Sequence, residues 1–167
     1  MFGRRKRIHP TLDGFDVPIF DWERDLLASI GDQLETLLRS DDIASAPMLE
    51  RLFPPAYNLD AERNHEYQRL MREDLLERHL DGVRVLRTTI ARKRLTAQEL
   101  NGWMRAVNSM RLVLGTLLDV SEDEPLDLDE SDDGPRTALV AHYHYLSALL
   151  GEIVDAASGA VFDSTAD

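Results

Sequence analysis

Cysteine is absent from the 167 residues, which excludes disulfide frameworks, cysteine-ligated zinc, iron–sulfur clusters and thiol nucleophiles. No apolar run approaches the roughly 20 residues that a membrane-spanning helix needs. The basic residues 4–7 are not followed by the apolar segment of a secretory signal. Glycine-rich phosphate loops, dinucleotide motifs and nucleophilic triads are missing as well. These absences predict a soluble, cytoplasmic protein that is not an enzyme, uses no cofactor and binds no membrane.

Basic residues are almost absent from the C-terminal third. Residues 119–167 contain one of them, Arg136, against 13 acidic residues, whereas residues 1–118 hold 18 of each sign. The net charge of −12 therefore belongs to one segment of the chain. A local basic cluster elsewhere remains available for an anionic partner.

The spacing of apolar residues predicts an all-α single domain over residues 1–167, a bundle of four to five helices. Residues 1–20 form a short β-hairpin, turning at Asp13-Gly14, or an extended arm. Helices occupy 21–118, beginning with an apolar stripe that includes Trp22. A short helix is expected over 46–53, and 59–90 forms either one helix or two because its apolar phase changes.

The second half of the chain has clearer helix signals. Thr96 and Glu99 make a capping box that starts a helix running to about residue 118. An acidic, solvated loop over 119–134 follows. Pro135 then begins a final helix to residue 157, and a frayed tail covers 158–167.

Arg111 breaks the pattern of the helix that follows the capping box. At 100° per residue it falls inside the apolar stripe, with Asn108 at the margin. Because a guanidinium stays charged, it must be paired or reach solvent. One interpretation is structural, an ion pair with Asp74 or hydrogen bonds to helix-end carbonyls. The other is functional, an arginine that contacts an anion or an interface.

A basic cluster free of acidic residues spans the end of the long helical region and the turn after it: Arg84, Arg87, Arg92, Lys93 and Arg94. Such residues favour the negative end of a helix and cover apolar surface with their stems. They can also face nucleic-acid phosphates, although DNA-binding proteins usually carry a wider basic footprint. Both interpretations remain open here.

Histidine and acid spacing offers a weak metal signal. Glu62 and His65 have the Glu-x-x-His spacing of di-iron helical bundles, but a second copy of the motif is missing. We therefore predict no metal site.

The block from Leu100 to Val120, with Asn108-x-x-Arg111-Leu-x-Leu-Gly115 at its centre, resembles the signature of a bacterial family of unknown function, the one numbered 2017. The resemblance extends from about residue 2 to residue 157. It implies that Asn108, Arg111 and Gly115 belong to the family signature. Members of this family are sometimes labelled transcriptional regulators.

These observations favour a non-enzymatic regulatory or protein-interaction module with a link to transcription, whose partner is another protein or a second copy in a two-fold dimer. One alternative is a regulator that binds DNA directly through the basic cluster, which is less favoured. Another is a helical bundle that binds a small anion at Arg111.

Overall fold

A computed structural model describes residues 6–40, 47–54, 61–121, 123, 126 and 134–163. This part of the chain is mainly α-helical with a small antiparallel sheet, as the sequence predicts. The elements are β1 (His9–Thr11), β2 (Gly14–Asp16), α1 (Asp21–Leu38), a 3₁₀ helix (Pro47–Leu52), α2 (Ala61–Thr89), β3 (Arg94–Leu95), α3 (Ala97–Leu117) and α4 (Pro135–Asp163). Residues 122, 124, 125 and 127–133, which make up most of the predicted acidic loop, lie outside the described residues.

The N-terminal hairpin forms, but its turn is one residue earlier than the Asp13-Gly14 prediction. Thr11 pairs with Gly14, so the loop residues are Leu12 and Asp13. Gly14 instead lies within β2 at φ +153°, where a Cβ would meet the Leu95 carbonyl oxygen at 2.2 Å. That carbonyl belongs to β3, which extends the sheet beyond the hairpin. The third strand, which the sequence analysis did not predict, explains the register.

Helix α2 is one continuous helix of 29 residues, which settles the choice between one helix and two. Its apolar phase changes because its two halves have different surroundings. Val83 and Leu86, in the second half, are fully buried, whereas Tyr67 and Leu70, in the first half, are more than half exposed.

Helix α3 lies at the centre of the core and contacts α1, α2, α4 and the 3₁₀ helix. Its capping box forms as predicted, because Glu99 N–H donates to Thr96 Oγ1 at 3.2 Å and Thr96 N–H donates to Glu99 Oε2 at 2.9 Å. Trp103 is fully buried and its indole N–H donates to Thr89 Oγ1 at 2.7 Å. Gly102 lets α2 approach closely, since a Cβ there would lie 2.6 Å from a methyl carbon of Val85.

The final helix is longer than predicted. Helix α4 runs from Pro135 to Asp163 rather than ending at residue 157, so the frayed tail expected from residue 158 is helical over most of its length. Ala156 is buried and Ala157 and Ala160 pack against the core. The small, polar residues of this segment predict fraying. The packing of the alanines and their high helix propensity nevertheless extend the helix through it.

Candidate functional site

Glu23 is a charged residue on the core-facing side of α1. The prediction that Trp22 belongs to the apolar stripe of this helix is wrong, because Trp22 is 57% exposed and Glu23 is fully buried. Glu23 lies one turn before the buried Leu27, on the same face. Its carboxylate accepts the Phe20 backbone N–H at 2.7 Å, half of a capping box.

Two side chains from distant parts of the chain complete the partners of Glu23. Arg7 donates to both of its carboxylate oxygens, at 2.9 and 3.0 Å, and also pairs with Glu152 of α4 at 3.1 Å. Tyr145, also on α4, donates its hydroxyl at 2.9 Å. Burial and the adjacent Glu23 carboxylate raise the pKa of Tyr145, so the hydroxyl stays protonated and remains a donor.

The same group of residues lines a pocket of about 480 Å³. The pocket lies between α1, α4 and residues 6–8, which precede β1 and are called the N-terminal arm below. We call it the Trp22 pocket; it is lined by Arg7, Trp22, Glu23, His144, Tyr145, Ala148, Leu149 and Glu152. Trp22 packs against Tyr145 with ring centroids 5.4 Å apart and planes inclined by 55°. The pocket thus combines an exposed aromatic wall with a charged floor, and none of its residues is among the sequence-predicted sites.

The arginines of the basic cluster are paired with carboxylates within the fold. Each of its arginines meets a carboxylate, and only the Lys93 ammonium forms no ion pair with the described residues. The pairs are Arg84 with Asp81, Arg87 with Asp32 at 3.0 Å and with Glu35, Arg92 with Glu99 at 2.7 Å, and Arg94 with Asp16 at 3.0 Å. The carboxylates come from other segments, so the absence of acids within 84–94 did not indicate free positive charge.

Arg111 has neither of the partners predicted for it. Asp74 pairs with Arg78 one turn along α2 at 2.8 Å instead. The Arg111 guanidinium donates through Nη2 to Asn108 Oδ1 at 3.2 Å, within α3. Its Nε atom is buried and has no hydrogen-bond partner. The cation is therefore half-buried and meets no carboxylate among the described residues. Asp74 and Arg84 lie together in a separate charged groove of about 510 Å³.

The described residues contain neither a cluster of metal-binding side chains nor a helix that could span a membrane. Across that part of the chain, no group of three or more His, Asp or Glu side chains is placed to hold a metal ion. The Glu62 side chain, half of the Glu-x-x-His pair, lies outside the described residues. Among the described helices, none has the length and apolar character required to cross a bilayer.

Comparison with known families gives one match. The sequence model of a family described as Domain of unknown function (DUF2017) matches residues 5–157. The chain belongs to the DUF2017 family. No curated protein and no solved structure matches it significantly. The family resemblance inferred from the block around Asn108 and Arg111 is thus confirmed, and the DUF2017 match itself names no function.

Gly115, in the block on which the DUF2017 resemblance rests, has a packing role. A Cβ at this position would lie 2.9 Å from Nη1 of Arg51 and 3.3 Å from the Tyr143 ring. The absence of a side chain lets Arg51 cross α3 and donate to the Val120 carbonyl at 2.7 Å. The lack of a side chain at Gly115 therefore allows Arg51 of the 3₁₀ helix to contact the end of α3. Gly115 lies on the same face of α3 as Asn108 and Arg111.

One sequence signal could have indicated the Trp22 pocket. Glu23 occupies the position four residues before Leu27, on the face that continues through Leu34 and Leu38. A carboxylate on a core-facing stripe requires a cationic or hydrogen-bonding partner, just as a guanidinium such as that of Arg111 requires a partner or access to solvent. Spacing does not identify those partners, because Arg7 lies 16 residues before Glu23 and Tyr145 lies 122 residues after it.

Proposed function

We propose that this DUF2017 protein is a non-enzymatic protein-interaction module and that its partner docks on the Trp22 pocket. The observation that carries the proposal is Trp22, which is 57% exposed and packs against Tyr145 at the edge of a cavity large enough for a side chain. Tryptophan and tyrosine dominate the binding energy of protein interfaces because they bury large, rigid surfaces.

The rigidity of the pocket supports a docking role. Glu23 anchors Arg7 from the N-terminal arm and Tyr145 from α4, so three distant segments hold the pocket wall in one geometry. A preformed site loses less conformational entropy when a partner binds than a mobile one does. Phe20, whose backbone N–H is bound by Glu23, is a second exposed aromatic residue at the start of α1, with 63% of its surface exposed.

The pairing of the basic cluster counts against the alternative of direct DNA binding. Arg84, Arg87, Arg92 and Arg94 each have a carboxylate beside them, so an approaching phosphate would meet a negative group at every one of these arginines and less uncompensated charge would be available to release counterions. Docking through an aromatic pocket does not meet that repulsion.

A quantitative co-purification tests the proposal. The tagged wild-type chain, Trp22→Ala and Leu12→Ala are purified from native cells with and without nuclease, and bound proteins are compared by mass spectrometry. Leu12 is the matched control because it is fully exposed at the hairpin loop. We expect at least one protein to be retained by the wild type and Leu12→Ala and lost from Trp22→Ala, with both variants keeping the wild-type melting temperature.

Other outcomes contradict the proposal in different ways. An identical set of bound proteins for all three chains removes the Trp22 pocket as a docking site. Proteins that are lost when nuclease is added are bound through nucleic acid, which would favour the basic cluster as the binding surface. The dimer predicted from the sequence is tested by sedimentation equilibrium of the same three proteins, since a second copy at this pocket would dissociate in Trp22→Ala alone.

A further inference from the structure

We infer that the Trp22 pocket selects a cationic side chain, an arginine or lysine of the docking partner. The inference rests on the proposed function and adds the chemistry of the group that enters the pocket. It follows from the charge balance of the pocket floor and from the aromatic character of its wall.

The pocket floor carries one more negative than positive charge. Arg7 is the only guanidinium among the described residues that line it, and it faces two carboxylates, Glu23 and Glu152. Glu23 is sealed inside the fold with a side chain that is 1% exposed, whereas the Glu152 side chain is 20% exposed and reaches the pocket. The excess charge is therefore accessible at Glu152, in a partly desolvated setting where charge–charge attraction is stronger than in water.

Among the described residues, the neighbouring charges do not offset this excess. Lys6, the residue before Arg7, lies 3.8 Å from Asp155 and is thereby balanced. His144 lines the pocket with its Nε2 atom 3.0 Å from the Leu126 carbonyl. The Tyr145 hydroxyl is neutral because its pKa is raised by burial and by Glu23.

The aromatic wall suits the same ligand class. A guanidinium or ammonium group is attracted to the faces of indole and phenol rings, most strongly to tryptophan. Trp22 and Tyr145, inclined by 55°, present two such rings beside Glu152. An arginine entering here would stack on Trp22 and donate to Glu152, and its positive charge makes both contacts stronger than those of a neutral side chain of the same shape.

An anionic ligand is disfavoured by the same geometry. Arg7 already donates to Glu23 and to Glu152 through three of its nitrogen atoms. An incoming carboxylate or phosphate would have to displace one of these acids while facing the other. The pocket thus discriminates by repulsion as well as by attraction.

A nuclear magnetic resonance titration tests the inference directly. The protein has two tryptophans, Trp22 at the pocket and Trp103 in the core, so their indole N–H resonances report binding and its absence in one spectrum. The probes are N-acetyl-arginine amide, its neutral isostere N-acetyl-citrulline amide, and N-acetyl-glutamate amide. We expect saturable shifts of Trp22, and not of Trp103, with the arginine probe alone.

Variants assign the contact to the proposed residues. Glu152→Gln should weaken arginine binding about tenfold, which corresponds to the loss of one charge-assisted hydrogen bond. Asp25→Asn makes the same charge change at an exposed position of α1 and should leave the affinity within about twofold. Trp22→Leu, followed through the Ala148 amide, should also lose the arginine response while keeping the fold.

Each contrary outcome overturns the inference. Equal binding of arginine and citrulline probes removes the selection for charge, preferential binding of the glutamate probe reverses its sign, and no response to any probe removes the site. These failures are separate from that of the proposed function. A Trp22-dependent partner combined with citrulline binding keeps protein docking and discards cation selection, whereas arginine binding without such a partner does the reverse.

Discussion

The Tyr145 hydroxyl donates a 2.9 Å hydrogen bond to Oε1 of Glu23, a carboxylate whose side chain is 1% exposed. The two residues are 122 positions apart, and their contact joins α4 to the first turn of α1. A buried carboxylate is tolerated only when its hydrogen bonds are complete. The pair is therefore the structural base of the Trp22 pocket.

Removing the hydroxyl tests that dependence. Tyr145→Phe keeps the ring against Trp22 but deprives Glu23 of one donor, so the free energy of unfolding should fall by about 2 kcal/mol, the usual cost for a hydrogen bond to a charged group. Tyr143→Phe on the same helix is the control and should change it by less than about 0.5 kcal/mol. Urea denaturation measures both, and equal losses for the two variants would refute a special role for the Glu23 contact.

Two glycines in helices should respond oppositely to alanine. At Gly102 a new Cβ meets Val85 at 2.6–2.8 Å, and overpacking of this kind costs about 1–3 kcal/mol. At Gly151 nothing lies within 4 Å of the added Cβ, so Gly151→Ala should stabilise the protein by about 0.5–1 kcal/mol through helix propensity. Thermal melts of the two variants measure these changes in stability. A stabilised Gly102→Ala protein would contradict the close approach of α2 and α3.

His79 should make stability dependent on pH. Burial lowers its pKa from the ordinary 6.5, against a smaller opposite effect of its hydrogen bond to the Leu52 carbonyl. In the neutral ring Nε2–H donates to that carbonyl at 3.2 Å, and Nδ1 lies 3.0 Å from Ser109 Oγ. The unfolded chain therefore takes up this proton first, so the contribution to stability is complete above pH 6.5 and declines as the pH falls below it.

The measurement is the free energy of unfolding at about pH 7.5 and about pH 5.5. His79→Gln should reduce the difference between the two values, because it removes the depressed titration. His65→Gln, at an exposed position of α2, should retain the wild-type difference. A His79→Gln protein with an unchanged pH dependence would show that the ring is not buried in its neutral form.

Arg111 gives a prediction that separates its two interpretations. Because its Nε is buried without a partner, Arg111→Met should leave the free energy of unfolding unchanged or raise it by about 1 kcal/mol in dilute buffer. Asn108→Ala, which removes the acceptor and keeps the cation, should lower it by about 1 kcal/mol. A destabilised Arg111→Met, together with phosphate-dependent stabilisation of the wild type only, would instead support an anion at this arginine.

Local signals predicted much of the fold. The Thr96–Glu99 capping box, the N-terminal hairpin and the apolar stripes are short-range patterns, and they located the helices within a few residues except at the C-terminus. The turn was misplaced by one residue because the decisive atom, the Leu95 carbonyl oxygen, belongs to a strand about 80 residues later. Periodicity contains no information about such a contact.

The candidate sites were harder to predict than the fold. Arg84 and Arg94 belong to a local run of positive charge. Asp81, just before that run, pairs with Arg84, and Asp16, far away in the sequence, pairs with Arg94. Trp22 was assigned to the core because tryptophan counts as apolar, although the buried position next to it belongs to Glu23. Tertiary pairing of charges overrides the composition of a single segment, so only the folded chain brings the Trp22 pocket together.

Site-specific photocrosslinking from position 20 tests the central claim, that a partner docks on the Trp22 pocket. Benzoylphenylalanine replaces Phe20, which is 63% exposed beside the pocket, and in a second protein replaces the exposed Leu12. After irradiation in native cells, the account predicts a discrete protein adduct from position 20 that disappears when Trp22→Ala is added and is absent from position 12. The same adduct from both positions, or one that survives Trp22→Ala, would contradict it.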